Sequence, residues 1–172
     1  DIIESGGVLH HMDDPMEGWR VLVNLLKSGG LMKIGLYSDL ARLHIKKIRG
    51  EIAELKLEKS EVEIRKFREN IIRSNYKHHK SITTSKDFFT LSTIRDLIFH
   101  VQEHCFTLPQ IKGCLNELGL NFCGFENEDI ISHFKKFNGN KADIYDLTLW
   151  HHYERRNPRA FAGMYQFWCQ KP

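Results

Sequence analysis

Apolar and polar positions follow two different periods along the first 38 residues. Ile2–Ile3 and Val8–Leu9 form a short apolar run that ends in a polar cluster, a pattern typical of a buried parallel strand and its exit loop. From Met16 to Leu26 the apolar residues recur at helical spacing, and a second run of strand length covers Leu31–Tyr37. The pattern predicts a strand, a crossover helix and a neighbouring parallel strand.

Both ends of the crossover helix carry sequence signals. Asp14 stands at the N-cap position, and Pro15 stands in the first turn, where a missing N–H costs nothing. Gly29–Gly30 lies beyond the last apolar position and is typical of a C-cap and turn. These signals predict a helix that begins after Asp14, carries apolar positions up to Leu26 and ends before Gly29–Gly30.

The middle of the chain is helical and polar in pattern. A stripe of isoleucines and leucine from Ile45 to Leu55 predicts one helix, and Ser60 with Glu63 predicts a capping box that opens a second helix. We expect the two helices to form an antiparallel hairpin. The polar stretch Lys77–Asp87 indicates a mobile loop.

The remaining elements are predicted from caps, glycines and apolar spacing. They are a helix capped by Ser92, a helix from Thr107 to Gly119, a strand at Leu120–Phe125, helices at 129–137 and 146–156, and a terminal strand at Gly163–Gln170. Phe134, Trp150 and Tyr153 are expected to be core residues rather than ligand contacts.

Composition limits the class of protein. The chain is 41% hydrophobic and 27% charged, with a net charge of +3, which is ordinary for a globular domain. No apolar run is long enough to span a membrane, and no secretory leader opens the sequence. The four cysteines contain no C-x-x-C pair, so reduced thiols in a cytoplasmic protein are expected.

The predicted helical hairpin carries an excess of basic residues. Arg42–Lys80 contains twelve Lys or Arg against six Glu, which could attract an anionic partner, although a solvated helix face is the commoner explanation. Aromatic side chains do not alternate with the basic ones as a stacking platform, so the pattern argues against nucleic-acid binding.

Ligands of open α/β sheets bind beyond the carboxyl ends of the parallel strands. Here that rule indicates Ser5–His11 after the first strand and Tyr37–Arg42 after the second. Gly6–Gly7 would let a ligand approach the backbone closely, and a strand-end bulge is the alternative explanation of the same pair.

His100–His104 reads H-x-x-E-H, which is the helical motif of inverted zinc peptidases. The motif stands at the end of its predicted helix, and no third ligand is marked downstream. A zinc hydrolase is therefore the less favoured alternative, and no metal-binding residue is assigned.

Several segments together resemble a known family. Asp1-Ile2-Ile3, Val8-Leu9-His10-His11-Met12, Asp14-Pro15, and Leu26-Lys27 with Gly29-Gly30 resemble the fourth strand, following helix and fifth strand of class I S-adenosylmethionine-dependent methyltransferases. One branch of that family has a long helical insertion after the fifth strand and a similar F-H-V-Q-E-H segment. It ends in a segment like Phe161–Trp168.

The resemblance implies a fold. It implies an α/β protein with a partial doubly wound, Rossmann-like methyltransferase sheet of three-layer character and a helical insertion after the second strand. Residues 1–38 and 120–172 would form the C-terminal half of that sheet, with the last strand inserted antiparallel between the fifth and sixth strands. Residues 39–119 would form the insertion on the acceptor side. The first three strands, the glycine-rich loop and the ribose-binding acid are missing, so we expect a truncated enzyme that binds S-adenosylmethionine weakly or not at all.

The resemblance and the crevice rule together imply the site residues. The implied cofactor contacts are Ser5, Gly6, Gly7, Leu9 and His10; the candidate bases are His10, His11 and His104; the implied acceptor contacts are Tyr37, Ser38, Arg42, His100, Glu103 and Tyr165. Hydrogen-bonded structural histidines remain the alternative for each candidate base. The methyl acceptor is not identified.

A non-catalytic interaction module is the alternative from another class. The first strand would lack its outer neighbour, and an open apolar edge favours pairing with another chain. We therefore expect a homo-oligomer formed through Ile2–Leu9 or through the stripe Ile45–Leu55.

Overall fold

The computed structural model of the chain describes residues 1–99 and 103–172. The chain forms two compact units, one made of Asp1–Ala41 with Gln102–Pro172 and one made of Arg42–Val101. We call them the sheet unit and the helical unit. Within the described ranges, no helix has both the length and the apolar character that a membrane crossing requires.

The elements follow each other in a mixed α/β order. The chain runs through β1 (Ile2–Gly6), α1 (Pro15–Leu25), β2 (Leu31–Ser38), α2 (Leu43–Glu54), α3 (Glu61–Arg73), α4 (Lys77–Ile82), α5 (Leu91–Phe99), β3 (Cys105–Phe106), α6 (Leu108–Glu117), β4 (Asn121–Phe125), α7 (Glu128–Asn138), α8 (Leu147–Arg156) and β5 (Tyr165–Gln170). Single 3-10 turns cover Leu9–His11 and Lys86–Phe88.

The five strands among the described residues form one sheet in the order β1-β2-β5-β4, with β3 beside the end of β2. β1 runs parallel to β2, and β5 lies antiparallel between β2 and β4. β3 is parallel to β2 and pairs with Tyr37 and Ser38. The predicted α/β class, the parallel strand pair and the antiparallel last strand are confirmed.

The crossover helix α1 begins as predicted. The Asp14 carboxylate accepts the N–H groups of Met16 at 2.8 Å and Glu17 at 3.1 Å, and Pro15 occupies the first turn. Trp19 and Val23 bury the face of α1 that packs in the core. Gly29 has a φ of +76°, a left-handed conformation that favours glycine, so the predicted turn before β2 is confirmed.

The prediction that the first strand extends through Val8–Leu9 is wrong. β1 ends at Gly6, and Gly7 has a φ of +76°, which turns the chain away from the strand direction. Leu9 is 1% exposed, but its apolar side chain is buried from a 3-10 turn rather than from a strand.

Aromatic rings fill much of the core of the sheet unit. Trp150 stacks on Phe134 with 3.8 Å between ring centroids, and its indole N–H donates to the carbonyl of Ile144 at 2.8 Å. Phe134, Trp150 and Tyr153 are all buried, as predicted. The N-cap of α6 is also confirmed, since Thr107 and Gln110 form a complete capping box.

The helical unit differs from its prediction in two ways. α2 and α3 each pack against α4 and α5, so they belong to one helical cluster instead of a two-helix hairpin. The predicted mobile loop Lys77–Asp87 contains α4, because Ile82 and the neighbouring Phe88 are fully buried and anchor a sequence that is otherwise polar.

The unit boundaries also differ from residues 39–119. The helical unit runs from Arg42 to Val101, and α6 belongs to the sheet unit. The apolar side of α6, formed by Leu108, Ile111 and Leu115, packs in the same core as the sheet.

Candidate active site at the carboxyl ends of β1 and β2

The parallel strands β1 and β2 approach each other closely at their carboxyl ends. Gly6 pairs with Gly35, and a Cβ atom on Gly35 would lie 3.0 Å from the Cα of Gly6 and 2.5 Å from the Sδ of Met164. A Cβ atom on Gly6 or Gly7, in contrast, would have no described heavy atom within 4 Å. The described residues therefore leave open space beside the backbone where β1 ends.

The 3-10 turn after β1 brings two histidines onto the end of β2. The ring centroids of His10 and Tyr37 lie 4.1 Å apart, and those of His10 and His11 lie 4.4 Å apart. His11 and Tyr37 are 6.3 Å apart. His10 is fully buried, whereas His11 and Tyr37 are half-buried. Of the two imidazoles, that of His11 is the better placed to meet a ligand.

The segment before β3 joins this cluster. The backbone N–H of His104 donates to the carbonyl of His10 at 2.8 Å, and the N–H of Asp39 donates to the carbonyl of Phe106 at 2.8 Å. Glu103 and His104 are half-buried. The structure thus brings residues 10, 11, 37, 103 and 104 together at the carboxyl ends of β1 and β2, although they come from three separate parts of the sequence.

Ser38 and Tyr165 also lie together, but in a buried network. The Tyr165 hydroxyl lies 2.7 Å from both carboxylate oxygens of Glu154, and the Ser38 hydroxyl donates to Oε1 of Glu154 at 2.5 Å. The N–H of Ala41 donates to the Ser38 hydroxyl at 3.0 Å. The two hydroxyls predicted as acceptor contacts are therefore bonded to a buried carboxylate and fix α8 against β2 and β5.

Burial governs the titration of this network. Glu154 is 2% exposed, and burial raises the pKa of its carboxyl above the usual value, although the hydrogen bonds from Ser38 and Tyr165 oppose the change. Burial and the adjacent Glu154 carboxylate also raise the pKa of the Tyr165 hydroxyl. Tyr165 is therefore a hydrogen-bond donor at neutral pH, not a base.

The remaining predicted site residues fall elsewhere. Ser5 is buried in β1, and Arg42 is buried at the start of α2 in the helical unit. His100 lies outside the described residues. Glu103 and His104 lie before β3 and are not helical.

Two features were missed at the sequence level. Glu154 lies in the polar last turn of α8, and nothing in the sequence around it indicates that its side chain is buried. Glu51, His78 and His79 converge within the helical unit, although His78–His79 was predicted to lie in a loop. The adjacent histidines were a signal in the sequence, but Glu51, the carboxylate that they contact, lies 27 residues before His78.

The open backbone at Gly6–Gly7 fits the cofactor that the family resemblance implies. A Cβ atom on either glycine would meet no described atom within 4 Å, so a ligand can approach the backbone at this strand end. The half-buried polar groups of His11, Tyr37 and His104 could bind a second ligand beside it. Chemically, the edge can orient a polar acceptor and remove a proton from it.

Comparison with known proteins supports the fold. No family model matches the chain. An uncharacterized protein of Synechococcus sp. is 26% identical over 140 residues, which are 75% of this chain and 33% of that protein. The structure of PKMT2 from Rickettsia typhi in complex with AdoHcy matches 99% of this chain and 35% of its own with a TM-score of 0.66 and 14% identity. A second structure of PKMT2 from Rickettsia typhi matches the same shares with a TM-score of 0.68 and 12% identity.

These similarities establish the fold alone. The chain has the α/β fold of part of a methyltransferase, as predicted, and it spans about a third of the length of the relatives it matches.

Proposed function

We propose that this chain is the C-terminal half of the catalytic domain of a class I S-adenosylmethionine-dependent methyltransferase, with residues missing that complete the cofactor site. The supporting observation is the open backbone of Gly6–Gly7 beside the His10, His11 and Tyr37 cluster, at the carboxyl edge of a parallel strand pair. The fold shared with PKMT2, whose structure contains AdoHcy, supports the same cofactor class.

In this proposal, each residue has a role that follows from its position. The bound cofactor would supply an electrophilic methyl group on a sulfonium sulfur. Ser5 and Leu9 hold the end of β1 and the turn in place, and Gly6 and Gly7 admit the cofactor to the backbone. His11 and His104 orient the acceptor, and either imidazole can accept its proton if the acceptor is a weak nucleophile.

Two predicted residues receive supporting roles. His10 is fully buried between His11 and Tyr37, so it shapes the turn that presents His11. Tyr165 and Ser38 hold Glu154 and thereby fix α8 beneath the end of β2. Tyr37 and Glu103 remain the proposed acceptor contacts.

The substitution Gly6→Val tests this function in the gene product that carries these residues. Valine suits a strand, and a Cβ atom here meets no described atom, so folding is preserved while the space beside the backbone is filled. We expect the dissociation constant for S-adenosylmethionine to rise at least about tenfold, which is about 1.4 kcal/mol. Calorimetric titration measures it, with a thermal melt as the folding check.

Gly113→Val provides the matched control. A Cβ atom on Gly113 also meets no described atom within 4 Å, but this glycine lies in α6. Its affinity for the cofactor should equal that of the unsubstituted protein. Equal affinities for all three proteins would contradict the proposal.

A further inference from the structure

Three metal-binding side chains converge within the helical unit. The Nε2 atom of His78 lies 2.5 Å from Oε1 of Glu51, and the Nε2 atom of His79 lies 2.7 Å from Oε2. The two imidazole rings are 4.4 Å apart between centroids. One ligand atom from each residue can be chosen so that all three lie within 4.8 Å of one another. Both histidines of α4 thus contact the same carboxylate.

The cluster is enclosed on one side and open on the other. The side chain of His79 is 8% exposed, whereas those of His78 and Glu51 are 20% and 31% exposed. The ring of Tyr76 stacks on His78 and meets His79 edge-on, each at 5.6 Å between centroids. The imidazoles are therefore held in orientation by packing, while solvent reaches the carboxylate.

We propose that Glu51, His78 and His79 form a binding site for a divalent transition-metal ion, with Zn²⁺ as the best match. Two imidazole nitrogens and a carboxylate oxygen are a known three-residue zinc ligand set, in which water takes the fourth position. The exposed side of Glu51 leaves room for that water. Mg²⁺ and Ca²⁺ prefer oxygen ligands, so a set with two nitrogens selects against them.

The surroundings predict moderate affinity. Metal-bound histidines usually donate their second ring N–H to an outer acceptor, and the loss of such a partner weakens binding about 10–100-fold. The Nδ1 atom of His79 is buried and has no hydrogen-bond partner within the described ranges. The ion must also replace two existing hydrogen bonds between the imidazoles and Glu51. We therefore expect a micromolar dissociation constant.

Calorimetric titration of the untagged, metal-free chain with zinc chloride tests the site. We expect one ion per chain in the micromolar range. Glu51→Gln keeps an oxygen that can accept a hydrogen bond from the imidazoles but loses the charged ligand, and it should weaken binding at least about tenfold. His152→Gln, in the adjacent histidine pair His151–His152 of α8, is the matched control and should leave binding unchanged.

Nitrogen-15 spectra of the histidine side chains provide a readout that does not depend on variants. Zinc should shift the Nε2 resonances of His78 and His79 and leave those of His151 and His152 in place. Binding that survives in Glu51→Gln, that disappears in His152→Gln, or that fails to shift the two Nε2 resonances would overturn the proposal.

Discussion

Two buried or partly buried carboxylates, one in each unit, respond oppositely to their surroundings. Burial raises the pKa of Glu154 in the sheet unit, and its hydroxyl partners only partly oppose the change. Burial also acts to raise the pKa of Glu51 in the helical unit, but the hydrogen bonds from His78 and His79 together outweigh it and lower the pKa. Hydroxyls cannot carry a positive charge, whereas imidazoles can. Glu154 is also the more deeply buried of the two, and the nearby Asp39 carboxylate raises its pKa further, whereas Glu51 is partly exposed and has two histidines as partners.

The two networks also differ in how the chain assembles them. Glu154 is bonded to Ser38, which is 116 residues away, and so depends on the strand order of the sheet. Glu51 is bonded to two adjacent residues on a single six-residue helix. The sheet unit thus distributes its polar network over the fold, and the helical unit concentrates it between two helices. The following substitutions test that contrast.

The largest expected effect is in the aromatic core of the sheet unit. Trp150→Ala removes the ring stacked on Phe134 and the hydrogen bond to Ile144, and it should lower the free energy of unfolding by about 3–5 kcal/mol. Ile48→Ala, at a fully buried position of the helical unit, should cost about 2–5 kcal/mol. Urea denaturation measures both. A cost below about 1 kcal/mol for Trp150→Ala would show that this core is loosely packed.

A smaller effect is expected where the buried network loses one hydroxyl. Tyr165→Phe removes a hydrogen bond to a carboxylate and should lower the free energy of unfolding by about 1.5–3 kcal/mol. Tyr145→Phe is the matched control, because Tyr145 is 57% exposed, and it should cost no more than about 0.5 kcal/mol. Equal costs in the two variants would mean that the bonds to Glu154 contribute nothing to stability.

The contrast between the units also explains what could be predicted from sequence. Asp14 with Pro15, and Thr107 before Leu108–Pro109, are local signals, and the helices they begin form as predicted. β3 was missed because a strand of two residues has no apolar period to detect. α4 was missed because Lys77–Lys80 is wholly polar and its helix depends on the buried Ile82, a tertiary effect.

The candidate site shows the same limit. The crevice rule places Gly6, His10, His11 and Tyr37 at one edge, since strand direction alone determines which ends meet. The sequence could not show that Tyr165 is buried and hydrogen-bonded to Glu154, because this contact depends on where α8 packs. Sequence patterns thus predict which residues share an edge of the sheet, and they do not predict which of them packing covers.

The pH dependence of stability separates the two carboxylates further. Because the folded pKa of Glu154 is raised, its favourable contribution is fully present below the unfolded glutamate pKa of about 4.3 and is lost as the pH rises through the folded pKa. Glu154→Gln should remove this loss, so the variant gains stability relative to the unsubstituted chain as the pH rises. If the denaturation midpoints of Glu154→Gln and of the unsubstituted chain change by the same amount as the pH rises, the raised pKa of Glu154 is contradicted.

The open edge of the sheet unit should support weak self-association. Among the described strands, β1 pairs with β2 alone, and Ile2 is 64% exposed. Ile45 and Ile48 are buried in the chain's own core, so the strand edge is the remaining candidate for a homodimer.

We expect sedimentation equilibrium to detect a dimer of the chain at high micromolar concentration. Ile2→Lys should weaken the dimer, because a charged side chain on a strand edge opposes pairing with another strand. Val21→Lys, at an exposed position of α1, should leave the dimer unchanged. A monomer at that concentration would show that the open edge is tolerated without a partner.

The smallest signal is expected from cofactor binding by the isolated chain. Residues 1–172 should bind S-adenosylmethionine weakly or not at all, because the proposed site is completed by residues outside them. Micromolar binding in a calorimetric titration would contradict this prediction.

Photochemical cross-linking of S-adenosylmethionine, labelled in its methyl group, tests the central claim most directly. In the gene product that carries these residues, tryptic cleavage after Arg20, Lys33 and Arg42 separates the two strand ends into different peptides. We predict label in the peptide that ends at Arg20, or in the peptide Ile34–Arg42, and its loss on competition with AdoHcy. Label absent from both peptides, with cross-links found elsewhere in the protein, would contradict the assignment of the carboxyl ends of β1 and β2 as the cofactor site.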